Sequence, residues 1–212
     1  MIFAILSFIL FIYSIIIHEI SHGFAAEKLG DPTARLSGRL TLNPIPHIDL
    51  VTSILLPLLL LTTGSPIIIG AAKPVPIDPF NLRNPRKEMG LIGLAGPASN
   101  LILAIIFGII ARILVNFSSS PEIYTFLARI SLINIVLAVF NLIPIPPLDG
   151  GRVLAAILPK DMAQSLLVLE RFGIFIVIFL LLFPNPIFSL QNIIFNITST
   201  IFGVIFPSLP LI

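Results

Sequence analysis

Ile15-Ile16-Ile17-His18-Glu19-Ile20-Ser21-His22 closes an almost unbroken apolar run that begins at Met1 and stays helix-compatible to about Leu29. On a helix, residues four apart lie on one face, so His18 and His22 can hold one metal ion between them. Glu19 stands beside the pair, within reach of a water on that ion without being a ligand. Neutral imidazoles suit Zn²⁺, and a catalytic zinc takes three protein ligands and keeps one position open. The ion lowers the pKa of its water to about 7, and Glu19 can take that proton and pass it to a leaving amine. Two interfacial histidines with a snorkelling glutamate are the plainer alternative. Polar groups at membrane depth are costly enough to disfavour it.

The composition around the motif supports membrane depth. Of 212 residues, 57% are hydrophobic and 10% charged, and the mean hydropathy is +1.10. A soluble domain carries about a quarter charged residues. The chain has no Cys and 13 Gly without a triplet repeat, which excludes a disulfide scaffold, cysteine catalysis and a collagen-like fibre. A pI near 9.3 comes with a net charge of only +2 and no basic stripe, so nucleic acid is not an expected partner. No basic residue precedes the first run and no small-residue cleavage site follows it, so it is read as a retained helix.

Further apolar runs cover about 50–69, 89–117, 122–143, 161–183 and 187–206. No repeat or low-complexity linker divides them. The expected fold is an all-α polytopic membrane protein, one domain over 1–212 with a core at 1–160 and C-terminal helices at 161–212. About five helices span the bilayer, 50–69 is re-entrant or interfacial, and Pro74 and Pro76 make 72–77 a short extended edge.

Two histidines leave a ligand to find. Glu122, Asp161 and Glu170 flank spans as solvated or paired groups. Asp149 differs: Asn141-Leu-Ile-Pro-Ile-Pro-Pro-Leu-Asp149-Gly150-Gly151-Arg152 breaks a helix with prolines and offers a carboxylate where irregular backbone must line a polar cavity. The glycines permit close backbone approach. By itself Asp149 would be read as the cap of a short helix from Arg152; beside H-E-x-x-H it is the third-ligand candidate.

His18-Glu-Ile-Ser-His22, Gly96-Pro-Ala-Ser-Asn100 and Asn141…Asp149-Gly150 together resemble the site-2 protease family of intramembrane zinc metalloproteases. Gly30-Asp-Pro-Thr-Ala-Arg, Gly38-Arg-Leu-Thr-Leu-Asn-Pro, His47-Ile-Asp49 and Ala72-Lys-Pro-Val-Pro are similar to its compact prokaryotic branch without a PDZ domain. The resemblance covers about residues 10–170. It implies one Zn²⁺ per chain held by His18, His22 and Asp149, Glu19 as general base, and hydrolysis of transmembrane substrates near the cytosolic side. The extra apolar segment at 50–69 departs from the family pattern.

One ion shared by His18 and Asp149 constrains topology. If all of the first four runs crossed the membrane, helices one and four would be antiparallel and Asp149 would end on the order of 20 Å from the histidines. Twenty apolar residues cannot cross twice, so 50–69 must enter and return. Residues 28–49, 70–88 and 150–163, with nine of the twelve basic residues, then share one face and 118–121 has none. The positive-inside rule makes the loaded face cytoplasmic, the N-terminus external and the site open toward the cytosol, in the cell membrane.

Asn100 and Asn141 are candidates for the oxyanion or the substrate backbone, with interhelical hydrogen bonding the alternative. Gly90, Gly93 and Gly96 read as helix packing. His47 and Asp49 are expected to bond or cap within their loop rather than hold a second metal. A protease must unwind a substrate helix first, so Lys73, Val75 and Ile77 are candidates for an edge that takes it by β-addition. The expected partners are a transmembrane protein or peptide and the lipid bilayer; a homo-oligomer is left open. The rival function is a transporter or metal-ion carrier using intramembrane His and Asp, but no inverted repeat is present.

Overall fold

The leading apolar run forms one uninterrupted helix, α1 (Ile2–Leu29), since no Pro or Gly falls within its first twenty residues. In a computed structural model describing residues 2–63, 70–117, 121–183 and 189–206, α1 packs with α4 (Pro85–Phe117) and α5 (Pro121–Asn141). These three are long and apolar enough to cross a bilayer. The short helix α2 (Thr33–Leu36) follows α1, and α3 (Leu56–Thr62) continues a π-helical stretch at Leu50–Leu55. After α5 come α6 (Asp149–Ile157), α7 (Lys160–Val168), α8 (Glu170–Leu182) and α9 (Leu190–Ile205). The run expected as one span at 161–183 is a pair, α7 and α8, bent by 44°. With that pair counted as one, four helical segments among the described residues are long and apolar enough to span, and α9 is a shorter apolar helix.

Side-chain register gives the helix directions. Going back along α1 from His22 through His18 to Ser14, the contacts on α4 advance from Ile92 to Asn100. Those on α5 retreat instead, from Asn134 opposite Ser14 to Phe126 opposite Phe3. α1 and α4 are therefore antiparallel, and α1 and α5 parallel. The end of α1 and the start of α4 lie at the same end of the bundle, so residues 30–84 make no net crossing.

The intervening segment shows how. Ala71 N–H donates to Thr52 O at 3.1 Å, and the Thr52 and Ser53 hydroxyls donate to Ala71 O at 3.1 and 2.6 Å. The segment leaves and returns to the same point, with Asp49 capping its first turn through Val51 N–H and Thr52 N–H. From Leu50 to Thr62 is 13 residues, about 20 Å of helix and short of the roughly 30 Å a crossing needs. This is the expected re-entrant or interfacial excursion; its residues 64–69, the loop at 118–120 and the Pro184-Asn185-Pro186 break lie outside the described residues.

Packing is inverted relative to a soluble protein. Large apolar side chains such as Ile102, Ile109, Ile113 and Phe175 point outward, where lipid accepts them. Ala104, Ala111 and Ala128 lie buried with Ile135, Phe202 and Phe206, because small side chains let helices approach closely. Polar Ser14, Asn100, Ser131 and Asn134 are buried as well.

Asp31 anchors the loops at the site end. Fully buried, it accepts from Thr33 N–H, the Thr33 hydroxyl, Asp78 N–H and Asn81 Nδ2. Burial alone would raise its pKa, but these donors together hold it below the usual carboxylate value. The run at 70–78 is irregular, and no strand occurs among the described residues. Its N–H groups still alternate inward, Ala71 to Thr52 O, Lys73 to His47 O and Val75 to Glu19. The expected edge thus has loop and side-chain partners in place of a ladder.

Candidate metal centre

His18 and His22 lie one turn apart near the end of α1, 7% and 5% exposed, and the first residue of α6 completes the group. Asp149 Oδ2 lies 3.2 Å from His18 Nε2 and 3.3 Å from His22 Nε2, and the two Nε2 atoms are 3.1 Å apart. A tetrahedral zinc with ligands at about 2.0–2.1 Å sets its ligand atoms about 3.3–3.4 Å apart. The donor set therefore fits the ion. Asp149 Oδ2 is also buried without a hydrogen-bond partner, as suits an atom reserved for a cation. Among the described residues this is the one group of His, Asp and Glu with such convergence.

Local sequence explains how Asp149 arrives there. The prolines at 144, 146 and 147 stop α5 short of the site, and the chain turns directly into α6 at Asp149. A Cβ on Gly150 would overlap the carbonyl oxygens of Leu142 and Ile143, and one on Gly151 would strike Pro146. Only glycine allows so close an approach. The α4 glycines do the same on the other side. Gly90 faces Ala156, Gly93 faces Asp149, and a Cβ on Gly96 would overlap both histidine Nε2 atoms.

The remaining nitrogens are held from behind. His22 Nδ1 donates to Ile92 O at 2.7 Å. His18 Nδ1 lies 2.6 Å from Asn100 Oδ1. With Nδ1 as the donor in each contact, Nε2 would keep its lone pair for a metal ion, the kind of support that orients a ligand imidazole. Asn100 is fully buried and its Nδ2 donates to Asn134, so the geometry matches the interhelical alternative for this residue. Asn141 closes α5, with Nδ2 donating to Leu137 O.

Glu19 is half-buried on the loop side of the histidines, and its Oε2 accepts from Val75 N–H at 2.9 Å. Arg39 lies under the same loop, 7% exposed, donating from Nη2 to Lys73 O at 2.6 Å. Burial pulls its guanidinium below the usual pKa, while the Glu19 carboxylate pulls the other way. His47 and Asp49 serve the loop, His47 through its ring and Thr41 O, Asp49 as a cap. Ser14 and Asn134 were not singled out by sequence, and Asp31 and Arg39 appeared there only within the family-like runs, without a role. Ser14 carried a positional signal, sitting one turn before His18 on the same helix.

Comparison with known proteins agrees with this chemistry. Residues 109–184 match the family described as Peptidase family M50. YwhC of Bacillus subtilis is 36% identical over 84% of this chain and 80% of its own length. Rip2 of Mycolicibacterium smegmatis is 30% identical over 81% of this chain and 64% of its own. Both carry names as candidate zinc metalloproteases. Zinc metalloprotease MJ0392 of Methanocaldococcus jannaschii is 30% identical over 72% of this chain, which spans 34% of that protein. No solved structure matches.

Proposed function

The chain belongs to peptidase family M50, the site-2 protease family of zinc metalloproteases, and from that premise we propose that it hydrolyses peptide bonds of transmembrane substrates near the cytosolic face, with Glu19 as the general base. The observation that carries the reading is the buried His18–His22–Asp149 triangle with a carboxylate next to it that is not a ligand. Bound Zn²⁺ supplies Lewis acidity to water and to the scissile carbonyl. His18, His22 and Asp149 hold the ion, each imidazole offering Nε2 because Nδ1 is engaged elsewhere.

Glu19 takes a proton at its carboxylate and hands it to the leaving amine. Val75 N–H holds one of its oxygens, so the base is already oriented before substrate arrives. We assign Asn141, where the broken segment begins, to bonding substrate backbone. Lys73, Val75 and Ile77 belong to the substrate-binding run. With the N–H groups of Lys73 and Val75 turned inward, the outward acceptors of an extended chain are the carbonyls of Ala72, Pro74 and Pro76, and these take the N–H groups of an unwound substrate. The cytosolic assignment follows from charge: Lys28, Arg35, Arg39, Lys73, Arg83, Arg86, Lys87, Arg152 and Lys160 gather at the site end, while Arg112 and Arg129 lie toward the other.

Purified chain should contain about one zinc and cleave a model transmembrane substrate. Glu19→Gln should keep the zinc and lose at least about 10²-fold in cleavage, the lower range for general-base removal. Near-normal cleavage by Glu19→Gln would overturn the assignment and revive the carrier reading.

A further inference from the structure

The two histidines among the zinc-ligand candidates are supported unequally. His22 Nδ1 meets a backbone carbonyl, Ile92 O, which can only accept, so its tautomer is determined at once. His18 Nδ1 meets a side-chain amide, which presents an acceptor on one side and a donor on the other. If the Asn100 amide turned over, its NH₂ would face Nδ1 and favour the tautomer with the proton on Nε2, which cannot ligate through that atom. Something must keep Asn100 from turning.

A buried chain of hydrogen bonds does this. Asn100 Nδ2 donates to Asn134 Oδ1 at 2.9 Å and, at the longer distance of 3.5 Å, to Ser14 O, and Asn134 Nδ2 donates both to Ile130 O and to Ser14 Oγ at 3.0 Å. Ser14 Oγ donates in turn to Leu10 O at 2.9 Å. Both far ends are backbone carbonyls, acceptors only. Working back from them, every donor and acceptor has one consistent assignment. Ile130 O requires the NH₂ of Asn134 on its side, which leaves Asn134 Oδ1 for Asn100 and Asn100 Oδ1 for His18. Asn100 and Asn134 are fully buried and Ser14 2% exposed, so no water substitutes for a missing partner.

We propose that Asn134, acting through Asn100 with Ser14 as its anchor, is a positioning residue that sets the tautomer of His18 for zinc binding. The proposal rests on the zinc-site reading above. It makes the metal centre depend on α5, a helix that supplies no ligand. A side chain about two helical turns above the metal-facing end of α5 therefore contributes to zinc affinity without touching the site.

The test is zinc affinity of the full chain in detergent micelles, read by chelator competition, with thermal melting as a check on folding. Asn134→Leu should weaken zinc binding by about 10- to 100-fold, the usual effect of losing an outer-shell partner; Asn134→Ala serves if the leucine variant does not fold. Asn100→Asp gives His18 an acceptor whichever way it turns, so in that background Asn134→Leu should change affinity less than about threefold. Equal weakening in both backgrounds, or none in either, would overturn the proposal. His22→Ala should abolish zinc binding; retention there would refute the metal site itself, separately from the role of Asn134.

Discussion

At the residue scale, the site depends as much on atoms that are missing as on those present. Gly96 lies directly against the two imidazoles, and a single methyl there would occupy space the ligand nitrogens need. Alanine is a better helix former than glycine by about 1 kcal/mol, so Gly96→Ala should leave α4 intact. The expected result is a folded chain whose zinc content falls from about one per chain to near zero by elemental analysis. Wild-type zinc in that variant would show that the histidines sit elsewhere than the contacts place them. Residues of this kind are half legible. The glycines at 90, 93 and 96 mark a packing stripe by spacing alone, whereas which of them faces the metal depends on how α1 crosses α4.

At the scale of elements, the run at 70–78 links the loops to the base. Its inward N–H groups are taken by Thr52, His47 and Glu19, and Arg39 holds Lys73 O from below. Pro74 and Pro76 lack N–H groups, so the outward side offers an incoming chain mainly acceptors. A photo-crosslinking residue at Lys73, whose side chain is exposed, should capture a transmembrane substrate in a Glu19→Gln background. The same residue at Phe80, 96% exposed just beyond the run, should not. Equal capture at both positions would remove the edge from the substrate path. The prolines made this run legible as extended. Its bond to Glu19 was not, because the contact joins residues 56 apart and neither type announces it.

At the scale of the whole molecule, helix direction and charge must agree. α1 and α5 run parallel, 52–71 closes on itself, and the basic loops collect at the metal end. Single cysteines placed at 45 and 80 in the Cys-free chain should therefore label from the same side of the membrane, and from the cytosolic side in oriented vesicles. Labels on opposite sides would contradict the returning segment. The sequence by itself determined the membrane class, the H-E-x-x-H pair, the broken helix that offers Asp149, and the need for an even return between α1 and α4. All of these rest on local composition, spacing or a length too short to cross twice. The tertiary structure alone decided that α6 begins at Asp149, that Val75 holds Glu19, that Asp31 ties the loops, and that Asn134 and Ser14 stand behind Asn100. Buried polar partners are chosen by which donors and acceptors meet when helices pack, and that pairing has no period along the chain.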